Sequence, residues 1–166
     1  MAKRTALLSL GANLGRREQS IRRAVGLIQE YAQAEPIRLS GFVETEPVGY
    51  EDQPKFINCA ARFETELSAR ELLAICKRVE SDLGRQERPR WHEREIDIDI
   101  ILLGDEIIES DKCSIPHPRM HERLFVLAPA SEIAPNMVHP LLHKTILELL
   151  RELLEKSGLE KPETPK

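Results

Sequence analysis

The stretch "REIDIDIILLGD", residues 94–105, decides how this chain is read. It alternates with the two-residue period of a strand and is among the most apolar runs in the chain. Alternation puts Ile96, Ile98, Ile100 and Leu102 on one face, suited to a covered core. It puts Asp97 and Asp99 together on the other. Their attachment points then lie roughly 6.5–7 Å apart. Two unit charges at that range repel by about 2.5 kcal/mol at an effective dielectric near 20. Nothing in the strand offsets that cost. A divalent cation between the carboxylates would, and oxygen ligands with no cysteine nearby favour a hard ion such as Mg²⁺.

Around this strand the order of elements can be followed outward. Residues 5–10 read as a short buried strand, and "GANLG" as a turn. A helix follows over about 16–33, with Ile21, Val25, Ile28 and Ala32 on one face. Residues 37–45 read as a strand, 46–55 as a loop rich in Pro, Gly and acids, and 56–64 as a strand. In "SARELLAICKRVESDLG", Ser68 and Glu71 have the spacing of a capping box. Leu72, Ile75, Cys76, Val79 and Leu83 form the inner face, and Gly84 fits the C-terminal end. The opening strand comes next. The order β-α-β-β-α-β predicts an α+β, ferredoxin-like sandwich, with both helices on one face of an antiparallel sheet and the other face free for ligands. Beyond residue 106 the pattern gives a hairpin-like piece, a His/Pro/Arg loop and a helix near 145–154. A single domain over 1–156 is expected, with a frayed, charged tail over 157–166.

Composition narrows the function classes. The chain has 166 residues and a formal net charge of −4, which gives no general case for binding nucleic acid or a membrane surface. No apolar run approaches the roughly 18 residues of a membrane span. Three scattered cysteines, Cys59, Cys76 and Cys113, form neither C-x-x-C nor a disulfide framework, so a cytoplasmic location is expected. There is no G-x-x-x-x-G-K-[ST] loop and no G-x-G-x-x-G fingerprint. Directly before the strand, however, Arg85, Arg88, Arg90 and Arg94 crowd one short loop. Guanidiniums beside paired carboxylates suit a polyphosphate held by arginines and bridged by metal. The plainer alternative is a solvated loop in which Glu87, Glu93 and Glu95 neutralise those arginines. On the strand at 56–64, Phe56 and Asn58 share the open face, as a flat hydrogen-bonding heterocycle would require. Taken alone, Phe56 reads as ordinary packing and Asn58 as a satisfied polar residue.

Four segments in order bear a family resemblance: "LSLGANLG", "TEPVGYEDQPKFINCA", "RWHEREIDIDIILLG" and "IPHPRMHERLFVLAPASEIAP". Over about residues 5–150 the chain resembles the 6-hydroxymethyl-7,8-dihydropterin pyrophosphokinases (HPPK). That resemblance implies transfer of diphosphate from ATP to the pterin hydroxymethyl group, with release of AMP. It implies that Asp97 and Asp99 hold two Mg²⁺ ions, and that Arg85 and Arg94 contact phosphates and aid transfer. Trp91 would close over the nucleotide, with Ile100, His117 and Arg123 also on the ATP side. Phe56 and Phe125 would sandwich the pterin. Asn58 would hydrogen-bond it beside the Thr45, Pro47 and Val48 loop, with Gln53 and Pro54 in the same context. The expected partners are these two small molecules, with the protein a monomer or weak homodimer. The family's usual "RWGPRTLDLD" departs here: His92-Glu93 replace Gly-Pro, and Glu95 replaces Thr. Weaker closure on ATP or slower turnover is expected. The alternatives are a catalytically weak pterin- or nucleotide-binding relative, or another Mg²⁺-dependent phosphotransferase or phosphohydrolase.

Overall fold

The computed structural model describes residues 2–34, 36–45, 54–84 and 96–158. The expected loop residues Arg85, Trp91 and Arg94, with Pro47, Val48, Gln53 and the His92-Glu93-Glu95 departures, lie outside them, as does the tail from 159.

Twelve elements follow in order: β1 (Arg4–Ala12), α1 (Arg17–Ala32), β2 (Arg38–Leu39), β3 (Val43–Thr45), β4 (Phe56–Thr65), α2 (Ala69–Asp82), β5 (Asp97–Leu103), β6 (Ile108–Glu109), β7 (Ser114–Ile115), a 3-10 turn (Met120–Glu122), α3 (Leu124–Ile133) and α4 (Ile146–Ser157). The main sheet is antiparallel, with β4 and β1 at its centre and β5 at one edge. Both β2 and β3 pair with β4. Counting β2 and β3 as one interrupted strand, the element order and the sheet order are consistent with the ferredoxin-like arrangement.

The expected single strand over 37–45 is therefore two short ones. The break falls at Ser40, whose Oγ accepts the Ala60 N–H at 2.8 Å while its own N–H donates to Ala60 O. At the next residue, the Gly41 N–H turns out to the Glu132 carboxylate at 2.9 Å. The ladder is interrupted, but the N–H groups of Ser40 and Gly41 keep partners, as burial requires.

Helices α1 and α2 cover one face of the sheet, and the main core lies beneath them. It includes Leu8, Leu10, Ile21, Ile28, Cys59, Phe63, Leu72, Cys76, Ile96, Ile98 and Ile100. Helix α2 begins at the expected capping box: Ser68 Oγ accepts the Glu71 N–H and the Glu71 carboxylate accepts the Ser68 N–H, both at 3.1 Å. The same reciprocal pair, Thr145 and Glu148, opens α4. Each box is worth on the order of 1 kcal/mol.

Four expectations are corrected here. The face opposite α1 and α2 is not free along its length. Helices α3 and α4 cover part of it, over a second core that contains Leu7, Ala60, Ile101, Leu102, Met120 and Leu127. Helix α3 stands where a loop was expected. Leu102 moreover faces this second core rather than the first. The cause is a bulge: Leu7 pairs with Leu102 but Leu8 pairs with Ile100, so Ile101 is an extra residue in β5. Ile101 and Leu102 both turn to the second core, and Leu103 returns to the first. Helix α4 also runs three residues past the expected end, to a left-handed Gly158.

Candidate active site

Next to the second core, which reaches Ala60, the other half of the same sheet face carries small and polar residues. Cross-strand pairing lays out what occupies that half. Asn58, Gly11 and Asp97 form one row across β4, β1 and β5; Ala60, Ser9 and Asp99 form the next. The row after that, Arg62, Leu7 and Leu102, already belongs to the covered region. The two aspartates thus project from an edge strand onto a floor of small residues, as alternation requires. Asp99 borders the apolar cover, and Asp97 stands farther out.

That placement sets their electrostatics. Burial, then the neighbouring charges of Asp97 and Glu80, push the Asp99 carboxyl up to about 7. The positive charges of Arg123 and Lys77 act against this. Arg123 is the residue before α3, and its guanidinium also lies 5.7 Å from the Phe125 ring centroid.

His117 is brought to the same place by its backbone, whose N–H donates to Ile101 O at 3.0 Å, next to the bulge. Its Nδ1 accepts the Arg119 N–H at 3.2 Å, which leaves the proton of the neutral ring on Nε2. Burial lowers its pKa to about 4, with help from Arg123 and Arg119 and against Asp97. His117 is therefore a neutral hydrogen-bond donor at neutral pH. A cavity of about 540 Å³ adjoins it, between the β6–β7 hairpin, His121, His139 and Leu141. That cavity shares His117 with the site but contains neither aspartate.

On the β4 side, Asn58 is 6 % exposed and its Nδ2 donates to Thr45 Oγ1 at 2.9 Å. Its Oδ1 lies flat over Gly11, where a Cβ would come within 2.6 Å of it. Thr45 in turn pairs with Phe56 across β3 and β4. Phe125 stands in the first turn of α3, half-buried. Ile100 is 7 % exposed in the main core, on the face opposite the aspartates. The structure thus gathers Asp97, Asp99, His117 and Arg123 into one electrostatic neighbourhood, with Thr45, Phe56 and Asn58 at the other end of the floor.

One residue was missed in sequence. Glu80 on α2 is buried, and its Oε2 accepts the Ile98 N–H at 2.9 Å. The signal was present: Glu80 lies four residues after Cys76 and eight after Leu72, on the inner stripe of its helix.

The donor set fits a hard divalent cation. Two carboxylates share a face, and burial with the neighbouring negative charges makes one of them hold its proton abnormally tightly. Among the described residues there is no cluster of three or more metal-ligating side chains. Two carboxylates, with the remaining positions left to water and substrate phosphate, is the usual way Mg²⁺ is bound.

A family model described as 7,8-dihydro-6-hydroxymethylpterin-pyrophosphokinase (HPPK) matches residues 7–135. A Bacillus subtilis protein named 2-amino-4-hydroxy-6-hydroxymethyldihydropteridine pyrophosphokinase is 42% identical over 156 residues, covering 93% of each chain. The Haemophilus influenzae protein of the same name is 38% identical over 151 residues, covering 91% of this chain and 94% of the other. The folic acid synthesis protein fol1 of Schizosaccharomyces pombe is 36% identical over 89% of this chain, which spans 20% of that longer protein. Among solved structures, Plasmodium falciparum HPPK-DHPS with pteroate superposes with a TM-score of 0.73 at 16% identity. That match covers 95% of this chain and 43% of the Plasmodium chain, so this chain spans less than half of that solved one. At that identity the likeness speaks to the fold, and the fold agrees. With the family model spanning most of the chain and whole-length relatives above a third identical, the chain belongs to the 7,8-dihydro-6-hydroxymethylpterin-pyrophosphokinase family.

Proposed function

We propose that this protein transfers diphosphate from ATP to the hydroxymethyl group of 6-hydroxymethyl-7,8-dihydropterin, releasing AMP, in folate biosynthesis. The observation that carries the reading is the pair Asp97 and Asp99, on one face of an edge strand, beside His117 and Arg123. The pterin hydroxymethyl oxygen attacks the β-phosphorus of ATP in line. The bond from that phosphorus to the α,β-bridging oxygen breaks, AMP departs, and the hydroxyl proton is lost to solvent. The protein's part is positioning and charge neutralisation.

Asp97 and Asp99 would hold two Mg²⁺ ions, which when bound would supply neutralisation of phosphate charge and a lowered pKa for the attacking hydroxyl. Neutral His117 donates its Nε2–H to a phosphate oxygen without competing for the carboxylates' protons. Arg123 supplies a fixed positive charge on the same side. Arg85 and Arg94 contact the phosphates and aid the transfer, and Trp91 closes over the nucleotide. Asn58 reads the pterin edge, held by Thr45, while Phe56 and Phe125 pack on its faces and Pro47 and Val48 supply main chain. No side-chain base is assigned. The protein works in the cytoplasm as a monomer or weak homodimer, with no nucleic-acid or membrane partner. Among the described residues, no helix is long and apolar enough to cross a membrane.

The test is product analysis. The purified protein is given Mg²⁺ and ATP, with and without the pterin. AMP is expected only with the pterin, in equal amount to pterin diphosphate. ADP in its place, or AMP without pterin, points instead to another phosphotransferase or a phosphohydrolase.

A further inference from the structure

We propose that Glu80 is the positioning residue of the aspartate strand: a buried carboxylate on α2 that grips the backbone between Asp97 and Asp99 and fixes how the two side chains present themselves to a cation. This rests on the reading that the two aspartates bind Mg²⁺.

Glu80 is 3 % exposed, and a glutamate is almost never buried unless it is paired. Its Oε2 accepts the Ile98 N–H at 2.9 Å, and its Oε1 lies 3.4 Å from Lys77 Nζ. The peptide it holds belongs to the one residue between the two aspartates. Among the described residues β5 is an edge strand, with no further strand on its outer side. The bulge at Ile101 loosens its pairing to β1 just beyond Asp99. A strand pinned from one side only can twist or slip, and a slip by one residue would move both aspartates to the core face. The Glu80 carboxylate supplies the missing partner from the helix layer. It reaches the strand from the side of α2, while the aspartates face away from that helix, so it acts through the backbone and not as a third ligand. A carboxylate gives a charge-assisted hydrogen bond, roughly twice as strong as a neutral one.

Three variants separate the possibilities. Glu80→Gln keeps an acceptor at the same reach and loses the charge. Glu80→Asp keeps the charge and shortens the reach. Glu80→Ala removes both. The readouts are the Mg²⁺ concentration for half-maximal ATP binding, measured by calorimetry without pterin, and hydrogen exchange of the Ile98 amide. Glu80→Gln is expected within about threefold of the parent in Mg²⁺ requirement, and Glu80→Ala and Glu80→Asp to need about tenfold more, as for lost outer partners of metal ligands. Ile98 exchange should accelerate in Glu80→Ala and Glu80→Asp only. A folded Glu80→Ala protein with unchanged Mg²⁺ dependence overturns the proposal, as does a Glu80→Gln protein as impaired as Glu80→Ala. If Glu80→Ala does not fold, the Gln and Asp variants decide: equal behaviour of the two overturns it. An Asp97→Asn, Asp99→Asn protein whose ATP binding keeps its Mg²⁺ dependence would instead sink the metal reading itself, while Ile98 exchange still reports on the Glu80 bond.

Discussion

Substituting Gly11 tests how the floor of the site is built. A Cβ at this position would lie 2.6 Å from Asn58 Oδ1 and 3.6 Å from Ile57 O. The first distance is inside the 3.0 Å that real Cβ contacts respect, so something must move. The backbone has little room to do so, because β1 is paired on both sides and β4 is paired to β1 and β3. The Asn58 side chain has to rotate, which breaks its 2.9 Å bond to Thr45. Asn58 is 6 % exposed, so the displaced amide loses its partner without gaining water freely. An amide left in that state costs about 1–3 kcal/mol. For a chain of this size about 2 kcal/mol corresponds to a melting shift of roughly 4–8 °C. The same rotation removes the group proposed to read the pterin, so pterin affinity should fall about tenfold or more. ATP affinity should fall less than pterin affinity, because the clash is with Asn58, while Asp99 lies one row farther on and does not pair with Gly11. Thermal melts and separate calorimetric titrations of Gly11→Ala with pterin and with MgATP check this. A variant that melts within a degree of the parent and binds pterin normally would refute the reasoning from the Gly11–Asn58 contact.

Other consequences follow from burial and charge. Asp99 has a folded pKa raised from 3.8 to about 7, by burial first and then by Asp97 and Glu80. The folded state therefore holds that proton more tightly than the unfolded chain, and metal-free stability should fall as pH rises from about 4 to 7 and then level off. Melts across that range should show the slope, Asp99→Asn should remove its share of it, and Mg²⁺ at pH 8 should restore stability; no difference between parent and variant would contradict this. Burial pushes the Cys59 and Cys76 thiols up to about 12, whereas Cys113 is half-exposed and only raised. A thiol reagent at pH 8 should label Cys113 alone in the native protein and all three cysteines in denaturant; rapid labelling of a second native thiol would count against the packing described. Leu102 is 0 % exposed in the second core, so Leu102→Ala should cost about 2–5 kcal/mol in urea unfolding. A loss below about 1 kcal/mol would mean that this face is not a core.

What the sequence could reveal depended on whether a residue's surroundings lie in its own element. Helices α1 and α2 carry clear apolar stripes, and the Ser68–Glu71 box forms as its spacing says. Asp97 and Asp99 share a face because strand alternation is local. The bulge that sends Leu102 to the second core is not local: it arises from the pairing of β5 with β1, which no period in β5 encodes. Helix α3 was hidden for a different reason. It carries Pro129 in its interior and is apolar almost all round, since it lies between the sheet and α4, so it shows no amphipathic stripe. His117 and Arg123 come from a segment with no period at all. Only the family resemblance pointed to them, and the bond from the His117 N–H to Ile101 O is what carries them to the aspartates. Glu80 could have been found, because a carboxylate on the inner stripe of a helix needs a partner.

The central claim is that the two carboxylates of β5 hold metal for diphosphate transfer. Its most direct test is AMP formation from Mg²⁺, ATP and 6-hydroxymethyl-7,8-dihydropterin by the parent and by an Asp97→Asn, Asp99→Asn protein of matched folding. The account predicts pterin-dependent AMP from the parent and a loss of at least about a thousandfold in the variant, with pterin binding retained. AMP formation by the variant within tenfold of the parent rate would contradict it.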